Sequence, residues 1–595
     1  MLKGFQAGIL SLANKTETIG KKHRAFFPVI IGLLIFVIYL SINIGVTGPQ
    51  YLSDEVSYLD KASTIAGSVV HASTSWYAGY PLLLSPAFFL FSNPFVEWKA
   101  VLVINALLWA GSAALLYFML RRLHPKKRTS IIAIVTLASF AYPAFSTMSG
   151  YAFATSGFVF FFMASLAALM KSGFKRPGWL VLAVMLGGYL YWIHPIGAIF
   201  VGLLLLLLVA KAAVAKRLSY AVYGILLIII AATYQLLVQP AVDAAMSAGG
   251  GAVDTHYLST LHTIFSTIAT PQFFLNLLVL LVGLVLYVCI ATFGIAVYAA
   301  IPYLKECFRG RSAWKSLLED PVRATVALII TSVIGVILVA AIATAGTSPI
   351  RADQWIYGRY TEMYLLPLIG IGLLSAWKFR TGLYIALATV LGGFLLTHFT
   401  NPVNSALNSI NEVNIQGFWP LIFLRHAQAN YLFWFCLGAI GILAIGFLGS
   451  PKRKIGLLVL APLLALTFIV NMGWHQGLLA TYSAPSGLYK TITSNYSPDT
   501  CIGYTTGTDV DERLSLYSYY LHNYDLRPMT YQTWLESDCS GPYLTFTLSP
   551  STEDVEIIGK ETQSGLYMVV KKDDASKVTF QDPSSSFTLR PFSKV

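Results

Sequence analysis

Apolar stretches recur from Phe27 to about residue 471, many of them near the ~20 residues that cross a bilayer as a helix. Inside hydrocarbon, backbone N–H and C=O groups must be paired within the segment or within a closed barrel. A chain patterned this way therefore folds as a bundle of spanning helices. Composition agrees, with 11% of residues charged and 56% hydrophobic, against about 25% charged in a soluble domain. The first apolar stretch begins late, after Lys21, Lys22 and Arg24, with no small-residue cleavage site behind it. It reads as a retained span, not a signal peptide.

The connectors set the expected orientation. Every second one is basic: "RRLHPKKR" (121–128), "KSGFKRP" (171–177), "KAAVAKR" (211–217), "KECFRGRSAWK" (305–315), "KFR" (378–380) and "PKRK" (451–454). The intervening ones hold Asp54, Glu55, Asp243, Asp254, Asp353 and Glu412. The positive-inside rule places the N-terminus in the cytoplasm and these acids outside. The pattern predicts about 13 spans, near 27–46, 99–120, 129–146, 152–170, 178–192, 195–211, 218–236, 273–303, 322–343, 361–377, 381–398, 431–449 and 455–471. An odd number leaves residues 472–595 outside. The expected fold is a polytopic α-helical membrane protein, residues 1–471, followed by a small extracytoplasmic α/β domain, residues 472–595.

Charge divides at the same boundary. Residues 472–595 carry 14 acids and 9 bases, a net of −5, and residues 1–471 carry 13 acids and 31 bases, a net of +18. Because the bases sit in connectors between spans, the excess reads as a topology signal, and no nucleic-acid partner is expected. Cys501 and Cys539 form an even pair in the outer domain and predict a disulfide. Strands are expected at 500–507, 543–549, 554–559 and 565–572, with a helix at 511–523. Three outer connections, 47–98, 237–272 and 399–430, are longer than turns require, and long loops tend to carry function. Within them, 80–91 and 256–269 read as helices lying on the membrane surface.

Two places concentrate unusual polar residues. Asp54 and Glu55 stand just outside the first span in "GPQYLSDEVSYLDKA" (48–62). Either they work on a substrate there, or Ser53 or Asp54 simply caps the following helix. Arg359 opens the tenth span in "DQWIYGRYTEMYLLPLIGIGL" (353–373), between Tyr357 and Tyr360. It and Arg351 break the inward bias of the bases. Arg359 is either an interfacial anchor or a two-pronged ligand for a phosphate at headgroup depth. His194-Pro195 and Trp474-His475 have ordinary explanations as a helix end and an interfacial anchor. Neither a Gly-rich phosphate loop nor a metal-ligand cluster is present in the sequence, and no cofactor is expected.

Taken together these segments resemble the GT-C superfamily, integral-membrane glycosyltransferases that draw sugars from polyprenyl-phosphate carriers. "LSDEVSYLDKA" (52–62) is similar to the superfamily's acidic motif in the first outer loop. "WYAGYPLLLSPAFFLF" (76–91) is similar to the surface helix that follows it, and "IYGRYTEMYLLPLIGI" (356–371) to the Arg-Tyr motif of bacterial members. The layout resembles aminoarabinose transferases and cell-wall arabinofuranosyltransferases. The resemblance implies that Asp54 is the general base with Glu55 in support. It also implies that Arg359 and Tyr360 face the carrier phosphate, with Tyr357 and Tyr80 among the substrate-binding residues. Many members carry a second acid before the fourth span, whereas "STMSGYAFATSGFVFF" (146–161) has none. As in some members, no Lys directly precedes the surface helix.

The function these readings imply is transfer of a sugar from a polyprenyl-phosphate-linked donor to a glycan, lipid or protein hydroxyl on the extracytoplasmic face, with inversion. The alternatives are a transporter or flippase for a lipid-linked saccharide, and a polysaccharide ligase or polymerase. Transporters keep ionisable groups within the membrane along the substrate path. Here the acids gather on one face, which favours the enzyme.

Overall fold

The computed structural model describes residues 26–46, 48–49, 52–68, 76–248, 266–307, 318–347, 350–375, 377–400, 412–418, 431–448, 487–505, 519–545, 555–560, 567–575 and 578. The expected span 455–471, Trp474-His475 and most of the expected helices 256–269 and 511–523 lie outside these residues. Of the last, only Tyr519 and Tyr520 are described as helical.

The helices run α1 Phe27–Asn43, α2 Leu52–Ile65, α3 Gly79–Leu90, α4 Pro94–Leu123, α5 Thr129–Phe140, α6 Pro143–Met148, α7 Ala154–Ser172, α8 Pro177–Ile193, α9 Gly197–Ala215 and α10 Leu218–Thr233. A π-helical turn, Tyr234–Val238, leads into α11 Gln239–Ala248. Then come α12 Pro271–Ala291, α13 Ile295–Cys307, α14 Pro321–Ala345, α15 Arg359–Leu374, α16 Phe379–Thr400 and α17 Tyr431–Leu448. Among the described residues, eight helices are long and apolar enough to cross a membrane. Many start where a Pro occupies the first turn, a position whose N–H has no helical partner. Asn93 caps α4 by accepting from Phe95 and Val96 N–H, and Asp320 caps α14 by accepting from Val322 N–H.

Two expected spans are broken. The stretch 129–146 becomes α5 and α6, because Pro143 supplies no N–H to continue the helix. The stretch 273–303 becomes α12 and α13, interrupted where Phe293 and Gly294 take φ of 46° and 75°. That left-handed step is incompatible with an unbroken α-helix.

α3 falls where the sequence predicts a short helix, residues 80–91. It buries Tyr80, Leu84 and Phe88, four residues apart, and leaves Phe89 and Leu90 exposed. Its first residue is pressed against the end of α8: a Cβ on Gly79 would stand 2.3 Å from the Trp192 carbonyl carbon. Only glycine permits that approach.

Near the C-terminus the chain forms a mixed five-stranded sheet of β1 Cys501–Tyr504, β2 Asp525–Pro528, β3 Tyr543–Thr545, β4 Val555–Lys560 and β5 Tyr567–Lys571, in the order β2-β1-β3-β5-β4. β1 lies parallel to β2 and β3, while β5 is antiparallel to β3 and β4. One face packs Ile502, Leu526, Leu544 and Met568 against Leu488 and Ile492. The other packs Tyr543 and Val569 against Trp534 and the Cys501–Cys539 disulfide, whose Cα atoms are 5.2 Å apart. This domain sits on the start of α4. Tyr519 Oη donates to Pro94 O, Asn523 Nδ2 donates to Ser92 O, and His522 Nε2 lies 3.2 Å from Glu97 Oε1.

Candidate active site

Helix α2 begins at Leu52, so Asp54 and Glu55 fall inside its first turn. The expected N-cap role of Ser53 or Asp54 is thereby corrected, since both residues lie within the helix. Acids in a first turn still interact favourably with the helix dipole. Asp54, Tyr58 and Lys61 recur at spacings of four and three, which puts them on one face.

That face meets the start of α15. Arg359 Nη1 donates to Asp54 Oδ2 at 2.6 Å, with the two side chains 6% and 15% exposed. The guanidinium lies 4.4 Å from the Phe153 ring centre and 5.9 Å from that of Trp76, an arrangement that adds cation–π attraction. Tyr357 and Tyr360 pack against each other beside it, their rings tilted by 59° with 4.8 Å between centres. Of the two interpretations of Arg359, its burial argues against an anchor reaching for the interface. Arg351 is half-exposed and binds its neighbour Asp353 through two hydrogen bonds of 3.1 Å.

Glu55 points elsewhere. It is fully buried, and its Oε1 accepts from Ala152 N–H at 2.5 Å. The adjoining Tyr151 carbonyl accepts from Asn105 Nδ2, and Asn105 Oδ1 in turn accepts from Tyr80 and Ser156 hydroxyls. The segment 151–153 is thus clamped from both sides, which fixes the Phe153 ring beneath Arg359. This is the stretch without an acid of its own; it contributes a backbone donor and a ring. Tyr80 is fully buried and braces Asn105 and the Tyr58 ring, supporting the site from behind.

Three further polar residues surround this centre. Lys61 is buried, and its Nζ donates to Trp76 O at 2.5 Å and to Asp243 Oδ1 of α11 at 3.2 Å. Burial pulls its pKa down, while Asp243 partly restores it. Asp243 also receives Gln239, whose Oε1 accepts from Tyr234 at the π-helical turn. This network ties α2 to α11. Glu362, one turn beyond Arg359, accepts at Oε1 from Gly417 N–H (2.8 Å), from Tyr142 and from Tyr287, and so anchors the turn Glu412–Phe418 to α15.

His194 is the third. Its ring lies 6.0 Å from Trp76 and 5.3 Å from Tyr360, placing it beside the ion pair. The sequence signal, His-Pro at a helix end, was visible but had an ordinary explanation. Nothing in the pattern linked it to Arg359. Among the described residues, no three His, Cys, Asp or Glu side chains gather as a metal-binding group.

No family model matches the chain, and no curated protein matches it. Solved structures do. The chain is similar to ArnT from Cupriavidus metallidurans in the apo state at 13% identity, covering 94% of this chain and 100% of that one with a TM-score of 0.49. The same protein bound to undecaprenyl phosphate matches at 14% identity over 92% and 97%, TM-score 0.48. The oligosaccharyltransferase of Archaeoglobus fulgidus matches at 12% identity over 85% of this chain and 64% of that one, TM-score 0.36.

Proposed function

We propose that the protein transfers a sugar from a polyprenyl-phosphate carrier to an acceptor hydroxyl, on the extracytoplasmic side, with inversion at the anomeric carbon. The observation that carries this reading is the Asp54–Arg359 pair, set among Trp76, Phe153, Tyr357 and Tyr360. A carboxylate and a guanidinium side by side supply the two charges the reaction needs. Asp54 takes the acceptor's hydroxyl proton as that oxygen bonds to the anomeric carbon. The bond from that carbon to the phosphate oxygen breaks, its electron pair stays on the departing carrier phosphate, and Arg359 holds the resulting charge. General-base catalysis of this kind contributes about 10²–10⁴-fold, and a fixed cation at the leaving oxygen stabilises charge as it develops. The aromatic wall suits the apolar faces of a sugar and the first isoprene units.

The test is incubation of the purified protein with a panel of polyprenyl-phosphate pentoses and hexoses, scoring free carrier phosphate and sugar on added acceptors. Release of carrier with sugar transferred supports the reading. Movement of intact lipid-linked saccharide across a vesicle bilayer, with no release, would replace it with the flippase alternative.

A further inference from the structure

His194 sits in the tight turn between α8 and α9. Gly197 makes that turn possible: a Cβ there would stand 2.4 Å from the Leu190 carbonyl carbon. Ile196 N–H donates to His194 Nδ1 at 3.3 Å. A backbone N–H can only donate, so Nδ1 presents its lone pair and, in the neutral ring, the hydrogen resides on Nε2. Burial first, and the Arg359 charge second, push this imidazole's pKa down to about 3, so the ring is neutral at working pH. The side chain is 3% exposed, yet Nε2 has no hydrogen-bond partner.

Arg359 shows the same deficit. Nη1 is engaged by Asp54, but its buried Nε also lacks a partner. Both side chains rest against the Trp76 ring. Buried donors are normally satisfied, so two orphan N–H groups around one ring describe a place for an acceptor-rich group. A neutral Nε2–H beside a guanidinium favours an anion with several oxygens. It adds a directed hydrogen bond while leaving Asp54 free of a second competing cation.

We infer that His194 is a further binding residue of this site, donating from Nε2 to a phosphate oxygen of the lipid carrier whose charge Arg359 neutralises. This rests on the carrier-phosphate reading above and extends it from one ligand to two. The carrier phosphate keeps the same neutral donor before and after the sugar departs.

The test compares binding of undecaprenyl phosphate and uncharged undecaprenol to the full-length protein in lipid nanodiscs. His194→Phe keeps a ring between Trp76 and Tyr360 but has no N–H; His194→Gln restores an uncharged donor. A lost hydrogen bond to a charged group predicts that His194→Phe weakens undecaprenyl phosphate about 10- to 100-fold. Undecaprenol should be unaffected, and His194→Gln should recover most of the loss. Equal binding of the phosphate by wild type and His194→Phe would overturn the inference and leave the carrier reading standing. Equal loss of both lipids would also overturn it, by showing a packing role. A wild-type protein that binds no undecaprenyl phosphate would overturn both. Inorganic phosphate run in parallel separates the sources, since saturation by it at the same concentration would show the free anion to be the ligand. Should His194→Phe fail to accumulate, ¹⁵N-histidine NMR of the wild type decides. The signal missing from His194→Gln must be the Nε2–H tautomer and must shift with undecaprenyl phosphate but not with undecaprenol.

Discussion

Arg359 reaches across 305 residues of chain to donate to Asp54 at 2.6 Å, and neither side chain is more than 15% exposed. The acid at the start of α2 and the base at the start of α15 are therefore one unit. Each changes what a substitution in the other means. A buried pair leaves an uncompensated charge when one member is removed, a far larger penalty than the loss of a surface ion pair.

For Asp54→Asn the expected result is loss of sugar transfer by at least about 10²-fold, because an amide accepts no proton. The fold should weaken as well, by about 3–5 kcal/mol, because Arg359 keeps its charge without a partner. Undecaprenyl phosphate, which brings a new anion to Arg359, should raise the thermal midpoint of the variant more than that of wild type. Wild-type transfer by the variant would remove Asp54 from the chemistry.

Arg359→Lys retains charge but not the planar fork that can engage Asp54 and a phosphate at once. Its affinity for undecaprenyl phosphate should fall by about tenfold or more, in line with the loss of one charge-assisted hydrogen bond. Arg351→Lys should bind as wild type, since Arg351 is half-exposed and committed to Asp353. Similar mild effects from both would return Arg359 to an interfacial anchor.

Glu55→Gln tests whether the second acid positions rather than reacts. Gln Oε1 can still accept from Ala152 N–H, so the clamp on residues 151–153 should persist. Transfer should drop by about five- to tenfold, the scale of one weakened hydrogen bond, with the pH–rate profile unchanged. Glu55→Ala, which removes the acceptor, should release Phe153 from beneath Arg359 and lower carrier affinity too. A Gln variant as dead as Asp54→Asn would place Glu55 in the proton transfer itself.

What could be read from the sequence follows from the range of the signals involved. Hydropathy is local, so most of the described long apolar helices lie within a few residues of the expected spans, and α3 lies within a residue of the expected short helix. The acidic motif and the Arg-Tyr motif are each local and were recognised separately. Their ion pair depends on how α2 and α15 are brought together, which no spacing in one sequence encodes. His194 was undervalued for the same reason, its partners Trp76 and Tyr360 being distant in the chain. The break at Phe293–Gly294 was hidden because a left-handed pair inside an apolar run leaves hydropathy unchanged. β2, "DLRP", was missed because four residues are too few for an alternating pattern to stand out and the last is Pro.

The Cys501–Cys539 bond closes a loop of 38 residues around Trp534. In the chain-entropy model such a crosslink contributes about 3–4 kcal/mol. Cys501→Ser with Cys539→Ser should lower the sheet domain's stability by roughly that amount. Peptide mass spectrometry of the unreduced protein should find the two joined, and two free thiols would sink the prediction.

His522 gives the sheet domain's seat on α4 a pH dependence. Its ring is buried with Nε2 against Glu97 Oε1, its Nδ1 lies 2.7 Å from the Tyr519 carbonyl, and Phe88 packs on it edge-on. Burial alone would lower its pKa. The hydrogen bond and charge of Glu97, the Tyr519 carbonyl and the more distant charge of Asp60 on α2 outweigh that, and the pKa is raised. A raised folded-state pKa means the native form binds the proton more tightly than the unfolded chain does. The stabilisation is thus complete below the ordinary histidine pKa of about 6.5, and it disappears as pH climbs through the raised value. Glu97 would then remain buried opposite a neutral ring. His522→Gln removes the titration while keeping a donor for Glu97. The difference in thermal midpoint between wild type and this variant should be greatest in mildly acidic buffer and shrink as the buffer is made alkaline. The seat should loosen in parallel, read as faster proteolysis between the last spanning helix and the sheet. A difference that stays constant from acid to alkaline pH would show that His522 is not the group sensing pH at this contact.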